Sequence, residues 1–173
     1  MQINCYSKKH DNLNNSELKK IIQLKKQEWK YTSTSHKNWI KVHLKKNDIH
    51  FMLKDNKEII GYTLLRNIFL KNKFKKRKIF YFDTHILDKN YRNKYFKNVK
   101  LSYFFMNFVL NFLKKKKILS ILRCKQKLIR YYKIHGWKKI GKKYVDFEDK
   151  KKLQTMFIPS KKKILTKSII HLN

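Results

Sequence analysis

The stretch Ile129-Arg130-Tyr131-Tyr132-Lys133-Ile134-His135-Gly136-Trp137 changes from a helical to an extended pattern at a glycine. Residues Gln126 to His135 predict a short helix, and Gly136 follows it as a residue that reaches the left-handed backbone region without steric cost. Trp137 then begins a strand that is expected to run to Ile140. Gly136 therefore marks the boundary between a predicted helix and a predicted strand.

A second informative stretch lies upstream and reads Tyr81-Phe82-Asp83-Thr84-His85-Ile86-Leu87-Asp88-Lys89-Asn90-Tyr91-Arg92. Its apolar part belongs to a predicted strand from Ile79 to Leu87, and the polar residues Asp88 to Arg92 predict a turn. A long helix is then expected from about Asn98 to Lys116, because five apolar residues lie on one helical face. They are Leu101, Phe104, Phe105, Phe108 and Phe112.

The remaining segments alternate between helical and extended patterns. Asn14 begins a capped amphipathic helix that runs to about Lys30. The other predicted elements are a helix from His36 to Leu44, a hairpin of strands from Ile49 to Leu53 and Glu58 to Leu70, a basic loop from Lys71 to Lys78, and strands from Ile118 to Cys124, Tyr144 to Phe147 and Thr155 to Ile158. This order predicts one α+β (α/β) domain over residues 1–173, with a mixed sheet of six or seven strands and about four helices.

The composition is strongly basic, with 45 Lys and Arg against 11 Asp and Glu, for a formal net charge of +34. Such a charge favours a polyanionic partner, either a nucleic acid or a cofactor that carries phosphates. The lysines are spread over the whole chain, and the sequence contains no alanine and only four valines. We interpret this bias as the mark of an A/T-rich genome, which accounts for part of the charge without any function.

Several classes of protein are not indicated. Cys5 and Cys124 are isolated thiols, so neither a disulfide framework nor a zinc site is expected. His36, His43 and His50 have no convincing metal spacing, and we expect no metal. The most apolar stretch, Leu101 to Leu113, is shorter than a membrane span, and no signal peptide is recognisable. A cytoplasmic protein is expected.

The two stretches quoted above resemble signature segments of the GCN5-related N-acetyltransferase (GNAT) superfamily. The upstream stretch is similar to the family's turn V-x-P-x-Y-R, with Leu87 in the place of Val, Lys89 in the place of Pro, and Tyr91-Arg92 as a direct match. The resemblance covers roughly Ile49 to Ile158.

The downstream stretch carries the more specific match. Tyr132, Gly136 and Trp137 fall in register with the family's pattern L-Y-x-x-x-G-F/W. The resemblance implies a GNAT-like, mostly antiparallel mixed sheet. It also implies transfer of an acetyl group from acetyl-coenzyme A (acetyl-CoA) to a primary amine.

The segment expected to bind the cofactor departs from the family. After the arginine, GNAT proteins have R-G-x-G-x-G/A, whose glycines let backbone amides approach the pyrophosphate. Here the register is Arg92-Asn93-Lys94-Tyr95-Phe96-Lys97, without a glycine. We expect the basic side chains to replace the amides. The resemblance therefore implies cofactor-binding residues Ile86, Leu87, Arg92, Asn93, Lys94, Tyr95, Phe96 and Lys97.

The resemblance also implies the catalytic residues. The backbone amide of Leu87 would stabilise the oxyanion, and Tyr132 would protonate the departing thiolate. Strand alternation places Asp83, His85 and Leu87 on one face, so Asp83 and His85 are both candidate bases.

Two other functions stay open: a catalytically inactive GNAT-fold interaction module and a basic RNA-binding protein. The acceptor is not determined, although the positive surface disfavours polycations and suits an amino sugar, an amino acid or an aminoacyl-RNA. Protein N-termini and lysines are further candidates. A monomer or a homodimer is expected.

Overall fold

Helices and strands alternate along the chain in the computed structural model, which describes residues 1–71, 76–141, 145–147, 153–158 and 168–170. The helices are α1 (Asn15–Glu28), α2 (Ser33–His43), α3 (Leu101–Lys116) and α4 (Ile129–Ile134). The strands are β1 (Ile3–Lys9), β2 (Ile49–Asp55), β3 (Glu58–Lys71), β4 (Lys76–Leu87), β5 (Tyr95–Phe96), β6 (Val99–Lys100), β7 (Ser120–Cys124), β8 (Lys138–Lys139), β9 (Val145–Phe147), β10 (Gln154–Ile158) and β11 (Ser168–Ile170).

The pairing of the strands gives a mixed, mostly antiparallel sheet. Within the described residues, hydrogen-bonded neighbours follow the order β1-β2-β3-β4-β7-β10-β8, and β11 pairs with β3 and β9. The pair β4–β7 is parallel, whereas β1–β2, β2–β3, β7–β10 and β8–β10 are antiparallel. The predicted fold class, a mixed sheet of about seven strands with four helices, is confirmed.

The chain forms two compact units. The first consists of Met1–Arg66 and Thr84–Leu110, and the second of Asn67–Asp83 and Asn111–Asn173. Apolar side chains are buried together in each unit. In the first unit the buried cluster contains Ile21, Leu24, Met52, Ile59, Tyr62 and Leu64, and in the second it contains Ile68, Leu70, Ile79, Tyr81, Leu119 and Ile121.

Local hydrogen bonds explain where the first two helices begin. The Oδ1 atom of Asn14 accepts a hydrogen bond from the amide of Glu17 at 2.8 Å, and the Glu17 carboxylate accepts one from the amide of Asn14 at 3.2 Å. This capping box starts α1 where the sequence predicted it. Thr32 caps α2 through the amide of Ser35 at 3.1 Å, so this helix begins three residues before the predicted His36.

The segment before α3 differs from the prediction. The helix begins at Leu101 rather than at about Asn98, because residues 95–100 form the hairpin β5–β6. Lys97 and Asn98 are the two residues of its turn, and both have positive φ, 47° and 62°. Such a turn matches the twist of a two-residue hairpin but usually contains glycine.

Three other predicted segments are compared with the structure at their boundaries. A loop was predicted from Lys71 to Lys78. In the structure, β3 continues to Lys71 and β4 begins at Lys76. Residues 72–75 lie outside the described residues, as does Tyr144 at the start of the predicted strand to Phe147. The predicted helix from Gln126 to His135 is a 3-10 turn over Gln126–Leu128 followed by α4.

The N-terminal strand β1, which sequence analysis did not predict, pairs antiparallel with β2 over Ile3–Lys9. Measured over the part of the chain that the structure describes, none of the helices has the length and apolar character needed to cross a membrane.

Candidate active site

The end of β4 is tightly packed in the first unit. Ile86 and Leu87 are buried. Gly61 on β3 leaves room for this packing, because a Cβ at this position would lie 3.2 Å from Cδ1 of Leu87 and 3.3 Å from Cδ1 of Phe105. The packed side chain of Leu87, whose amide is the expected oxyanion donor, therefore leaves little room for a side chain at position 61.

His85 lies beside the same phenylalanine. Its ring stacks on that of Phe105 with a centroid distance of 5.5 Å, and its Nδ1 atom lies 2.7 Å from the hydroxyl of Thr63. His85 and Leu87 therefore share one face of β4. The hydrogen bond and the stacked ring fix the orientation of the imidazole, which a general base requires.

Phe80 and His85 of β4 each have an aromatic neighbour on α3. The ring of Phe80 packs against Phe112, and the ring of His85 packs against Phe105. The prediction that Asp83 shares the face of His85 rests on the regular alternation of a strand and stays a prediction.

The turn after β4 is held by the end of α1. The amide of Gln27 donates to Oδ2 of Asp88 at 2.7 Å, and its carbonyl oxygen accepts from the backbone amide of Lys89 at 3.1 Å. The backbone amide of Asp88 also donates to the carbonyl of Ile60 at 2.7 Å. The Tyr91 hydroxyl donates to Asp55 at 3.2 Å. The turn is therefore ordered by partners that lie far away in the sequence.

Arg92 is bound by two groups of the protein. Its Nε donates to the carbonyl oxygen of Leu87 at 3.2 Å, and its Nη2 forms an ion pair with the carboxylate of Glu28. Both charged side chains are partly exposed, Arg92 at 43% and Glu28 at 37%. The guanidinium that the sequence assigned to a phosphate thus already has a carboxylate partner.

The rest of the expected cofactor segment forms the β5–β6 hairpin and the residues before it. Nζ of Lys94 lies 4.4 Å from the ring centroid of Tyr91, and Nζ of Lys97 lies 5.5 Å from that of Phe96. Phe96 packs edge-on against Phe104 at 5.2 Å, which attaches the hairpin to α3. Tyr95 is 56% exposed, and Asn93 is exposed.

The charge of this segment is positive throughout. From Lys89 to Lys100 the sequence contains five basic residues and no acidic one. They are Lys89, Arg92, Lys94, Lys97 and Lys100. An anionic group is therefore favoured near the hairpin.

Tyr132 lies in the second unit on α4. Its ring packs edge-on against Phe82 and Trp137, each at 6.1 Å. Burial raises the pKa of Tyr132 above its usual value, and the neighbouring Cys124 adds to the increase. Among the described residues, its hydroxyl forms no hydrogen bond. A protonated phenol without a protein partner can donate to a ligand.

The backbone explains why the stretch around Tyr132 adopts this conformation. Gly136 has φ +84° and donates from its amide to the carbonyl of Lys133 at 2.9 Å. The amide of Trp137 donates to the carbonyl of Tyr132 at 3.1 Å. Gly136 thus ends α4 in the left-handed conformation that the sequence predicted.

The expected site residues are divided between the two units. His85, Ile86, Leu87 and residues 92–97 belong to the first unit, and Asp83 and Tyr132 to the second. Sequence analysis missed Gln27, Glu28 and Asp55, because nothing in their local sequence distinguishes them from surface residues. In the part of the chain that the structure describes, no group of three or more His, Cys, Asp or Glu could hold a metal ion.

No family model and no curated protein matches this sequence. Solved structures do match. An acyl-CoA N-acyltransferase from Pseudomonas aeruginosa is similar with a TM-score of 0.62 and 15% identity, over 90% of this chain and 98% of that one.

Two further structures illustrate the range of similar proteins. The histone acetyltransferase HPA2 and related acetyltransferase from Corynebacterium glutamicum has a TM-score of 0.66 and 11% identity, covering 94% of this chain and 99% of that chain. A chain of the NatC complex bound to Gag peptide and CoA has a TM-score of 0.60 and 12% identity, covering 92% and 99%. At these identities the similarity establishes the fold.

Proposed function

We propose that this chain, whose fold is that of the GCN5-related N-acetyltransferases, transfers an acetyl group from acetyl-CoA to a primary amine. The observation that carries the proposal is the likeness of fold, over about nine tenths of the chain, to acyl-CoA-dependent transferases. One of these similar structures has CoA bound, which supports a CoA-type co-substrate. A fold alone does not fix a function, so the proposal also depends on the residues.

The reaction assigns a separate task to each group. The lone pair of the amine attacks the thioester carbonyl carbon, and the new C–N bond forms as the oxygen becomes an oxyanion. We assign the stabilisation of that oxyanion to the backbone amide of Leu87. The C–S bond then breaks, the thiolate takes a proton from Tyr132, and the amine loses its proton to a base.

Tyr132 suits the role of the acid for one physical reason. Its hydroxyl is not held by a hydrogen bond within the described residues, so a proton transfer from it breaks no existing contact.

We assign the base to His85 or Asp83. His85 has a fixed ring orientation through Thr63 and Phe105. A neutral imidazole has a ring nitrogen that can accept the amine proton. Asp83 is half-buried in β4, and a carboxylate is rare in this basic chain.

The phosphates of the cofactor are assigned to the glycine-free segment Arg92–Lys97. Lys94 and Lys97 supply positive charge there, and neither forms an ion pair with a carboxylate among the described residues. The exposed ring of Tyr95 and the side chain of Asn93 complete the surface that the cofactor would meet.

The net charge of +34 favours an acceptor that is neutral or anionic over a polycation. An amino sugar, an amino acid and an aminoacyl-RNA all fulfil this condition. We further propose a cytoplasmic protein that acts as a monomer or homodimer.

The test is a calorimetric titration of the full-length protein with acetyl-CoA and with CoA at low ionic strength. We expect saturable binding with a stoichiometry of one. An inactive interaction module would bind neither ligand, and an RNA-binding protein would bind a single-stranded oligonucleotide in their place. Lys41→Ala on α2 is the control, because it removes one exposed positive charge outside the segment Arg92–Lys97.

A further inference from the structure

We propose that Arg92 and Glu28 are positioning residues, which hold the end of β4 in place for the proposed transfer and do not bind the cofactor's phosphates. This inference rests on the proposed function, because it concerns the peptide group next to the proposed oxyanion donor. It differs from the sequence-based assignment of Arg92 to a phosphate.

The guanidinium of Arg92 already contacts two groups of the protein. Its Nε donates to the Leu87 carbonyl oxygen at 3.2 Å, and its Nη2 pairs with the Glu28 carboxylate. A planar guanidinium binds a phosphate best through two parallel N–H groups. Here one N–H group is directed to a backbone carbonyl and another to a carboxylate, so this fork is already divided between two protein groups.

The contact of Arg92 with Leu87 restrains the backbone at the end of β4. The peptide group that joins Leu87 to Asp88 is held at both ends, since its oxygen accepts from Arg92 and its N–H donates to the carbonyl of Ile60 at 2.7 Å. A peptide group is planar, so two hydrogen bonds on opposite sides fix its orientation. This peptide group adjoins Leu87, so its fixed orientation restrains the end of the strand that carries the Leu87 amide.

Glu28 lies next to a second residue that contacts the turn after β4. It is the last residue of α1, and its neighbour Gln27 contacts Asp88 and the amide of Lys89 at 2.7 and 3.1 Å. The last two residues of α1 therefore contact the turn after β4 at two places. Gln27 contacts the first residues of the turn, and Glu28 contacts Arg92 at its end. A helix end that contacts both sides of one turn is suited to fixing the turn's geometry.

The ion pair also changes the electrostatics of the segment that follows β4. The carboxylate of Glu28 cancels most of the charge that Arg92 would present to an anion. Lys94 and Lys97, which follow on the same segment, have no such carboxylate among the described residues. These lysines are therefore better placed to provide net positive charge for a phosphate.

The experiment uses acetyl-CoA labelled with 13C at the thioester carbonyl. A hydrogen bond from a backbone amide polarises this carbonyl and moves its 13C resonance downfield on binding. In the wild-type protein we expect saturable binding and a downfield shift. In Arg92→Lys and Glu28→Gln we expect the shift to be lost or halved, while the dissociation constant for CoA changes by less than about threefold.

The two variants are chosen because a phosphate contact predicts other results. Arg92→Lys keeps the positive charge but removes the planar fork, so a bidentate contact of Arg92 with a phosphate would be weakened and the affinity for CoA would fall. Glu28→Gln removes a competing carboxylate, so affinity for CoA would rise if Arg92 bound the phosphates. Lys94→Ala is the matched control on the same segment, for which we expect weaker CoA binding and an unchanged 13C shift at saturation.

The outcomes separate this inference from the proposed function. Wild-type protein that binds neither acetyl-CoA nor CoA overturns the proposed function and this inference with it. Wild-type binding, followed by a loss of about tenfold in CoA affinity in Arg92→Ala with an unchanged 13C shift, overturns the inference alone. Thermal unfolding of each variant checks the fold, and Glu28→Gln tests the same idea if an Arg92 variant is unstable.

Discussion

Gly61 faces Leu53 across the β2–β3 pair so closely that a Cβ on the glycine would lie 3.0 Å from the Cβ of the leucine. The side chains of Leu87 and Phe105 fill the remaining space at 3.2 and 3.3 Å. We expect Gly61→Ala to lower the free energy of unfolding by about 1–3 kcal/mol, since an added methyl group overpacks this contact. Urea denaturation measures the change.

Gly136 offers a matched control, because a Cβ there meets nothing within 4 Å and only its φ of +84° opposes a side chain. Gly136→Ala is expected to cost about 1 kcal/mol, and Gly136→Asn less, because asparagine tolerates the left-handed region. At Gly61, asparagine should cost more than alanine. Equal effects of asparagine at the two glycines would contradict the packing argument.

The turn of the β5–β6 hairpin should be improved by glycine at Lys97. A lysine in the left-handed conformation is strained, and its φ is 47°. We expect Lys97→Gly to raise the free energy of unfolding by up to about 1 kcal/mol, and Asn98→Gly by less. Lys100→Gly in the neighbouring strand is the control and should be destabilising. A loss of stability in Lys97→Gly would show that the turn is not strained.

Acid should destabilise the protein in part through His50. This residue is buried, with its Nδ1 atom 2.9 Å from the Tyr62 hydroxyl and its Nε2 atom 3.1 Å from Nδ1 of His10. Burial, and then the charges of His10 and Lys25, lower the pKa of His50 from 6.5 to about 3. Between these two values the unfolded chain binds the proton and the folded chain does not. The free energy of unfolding therefore falls as the pH falls from about 6.5 towards 3, by up to about 1.4 kcal/mol per pH unit.

The variant His50→Gln isolates this contribution. It should reduce the slope of stability against pH in that window, although it lowers stability at neutral pH by removing part of the buried hydrogen-bonded chain. Urea unfolding at several pH values gives both slopes. An identical slope in wild type and variant would mean that His50 titrates normally in the folded protein.

Tyr132→Phe tests the proposed acid. We expect turnover to fall by ~10²-fold or more, because the thiolate loses its proton donor, while the dissociation constant for acetyl-CoA stays close to that of the wild type. Tyr131→Phe removes the same hydroxyl from the neighbouring position on α4 and should leave turnover largely intact. A drop in thermal stability without a selective loss of turnover would identify Tyr132 as a core residue only.

The affinity for CoA should depend steeply on salt if side-chain cations replace the amide contacts. Exposed charges are screened over a Debye length of ~8 Å at physiological ionic strength. Lys94→Ala and Lys97→Ala are each expected to weaken CoA binding by roughly 1 kcal/mol and to flatten its salt dependence. Titrations in low and high salt measure both effects, and Lys41→Ala controls for net charge.

Dephospho-CoA extends this test, since it lacks the 3′-phosphate. If its affinity falls in Lys94→Ala by the same factor as that of CoA, the lysine contacts the pyrophosphate. Tight binding that is indifferent to salt and to both lysine variants would show that backbone amides hold the cofactor.

Local signals in the sequence determined much of the fold. The capping box of Asn14 and Glu17 started α1, and Gly136 ended α4, because each device acts within a few residues of chain. The two predicted strands from Ile49 and Glu58 form the hairpin β2–β3 for the same reason. The resemblance of the stretches around Leu87 and Tyr132 to GNAT segments led to the fold that the structure has.

Tertiary structure alone decided the environment of the candidate site. The hairpin β5–β6 was not predicted, because Lys97 and Asn98 adopt a turn that sequence rules associate with glycine. Arg92 pairs with Glu28, which lies 64 residues away. No periodicity or local motif links two residues so distant, since their contact exists only after α1 packs near the end of β4. The carboxylate partner of Arg92 within the protein was therefore decided by packing.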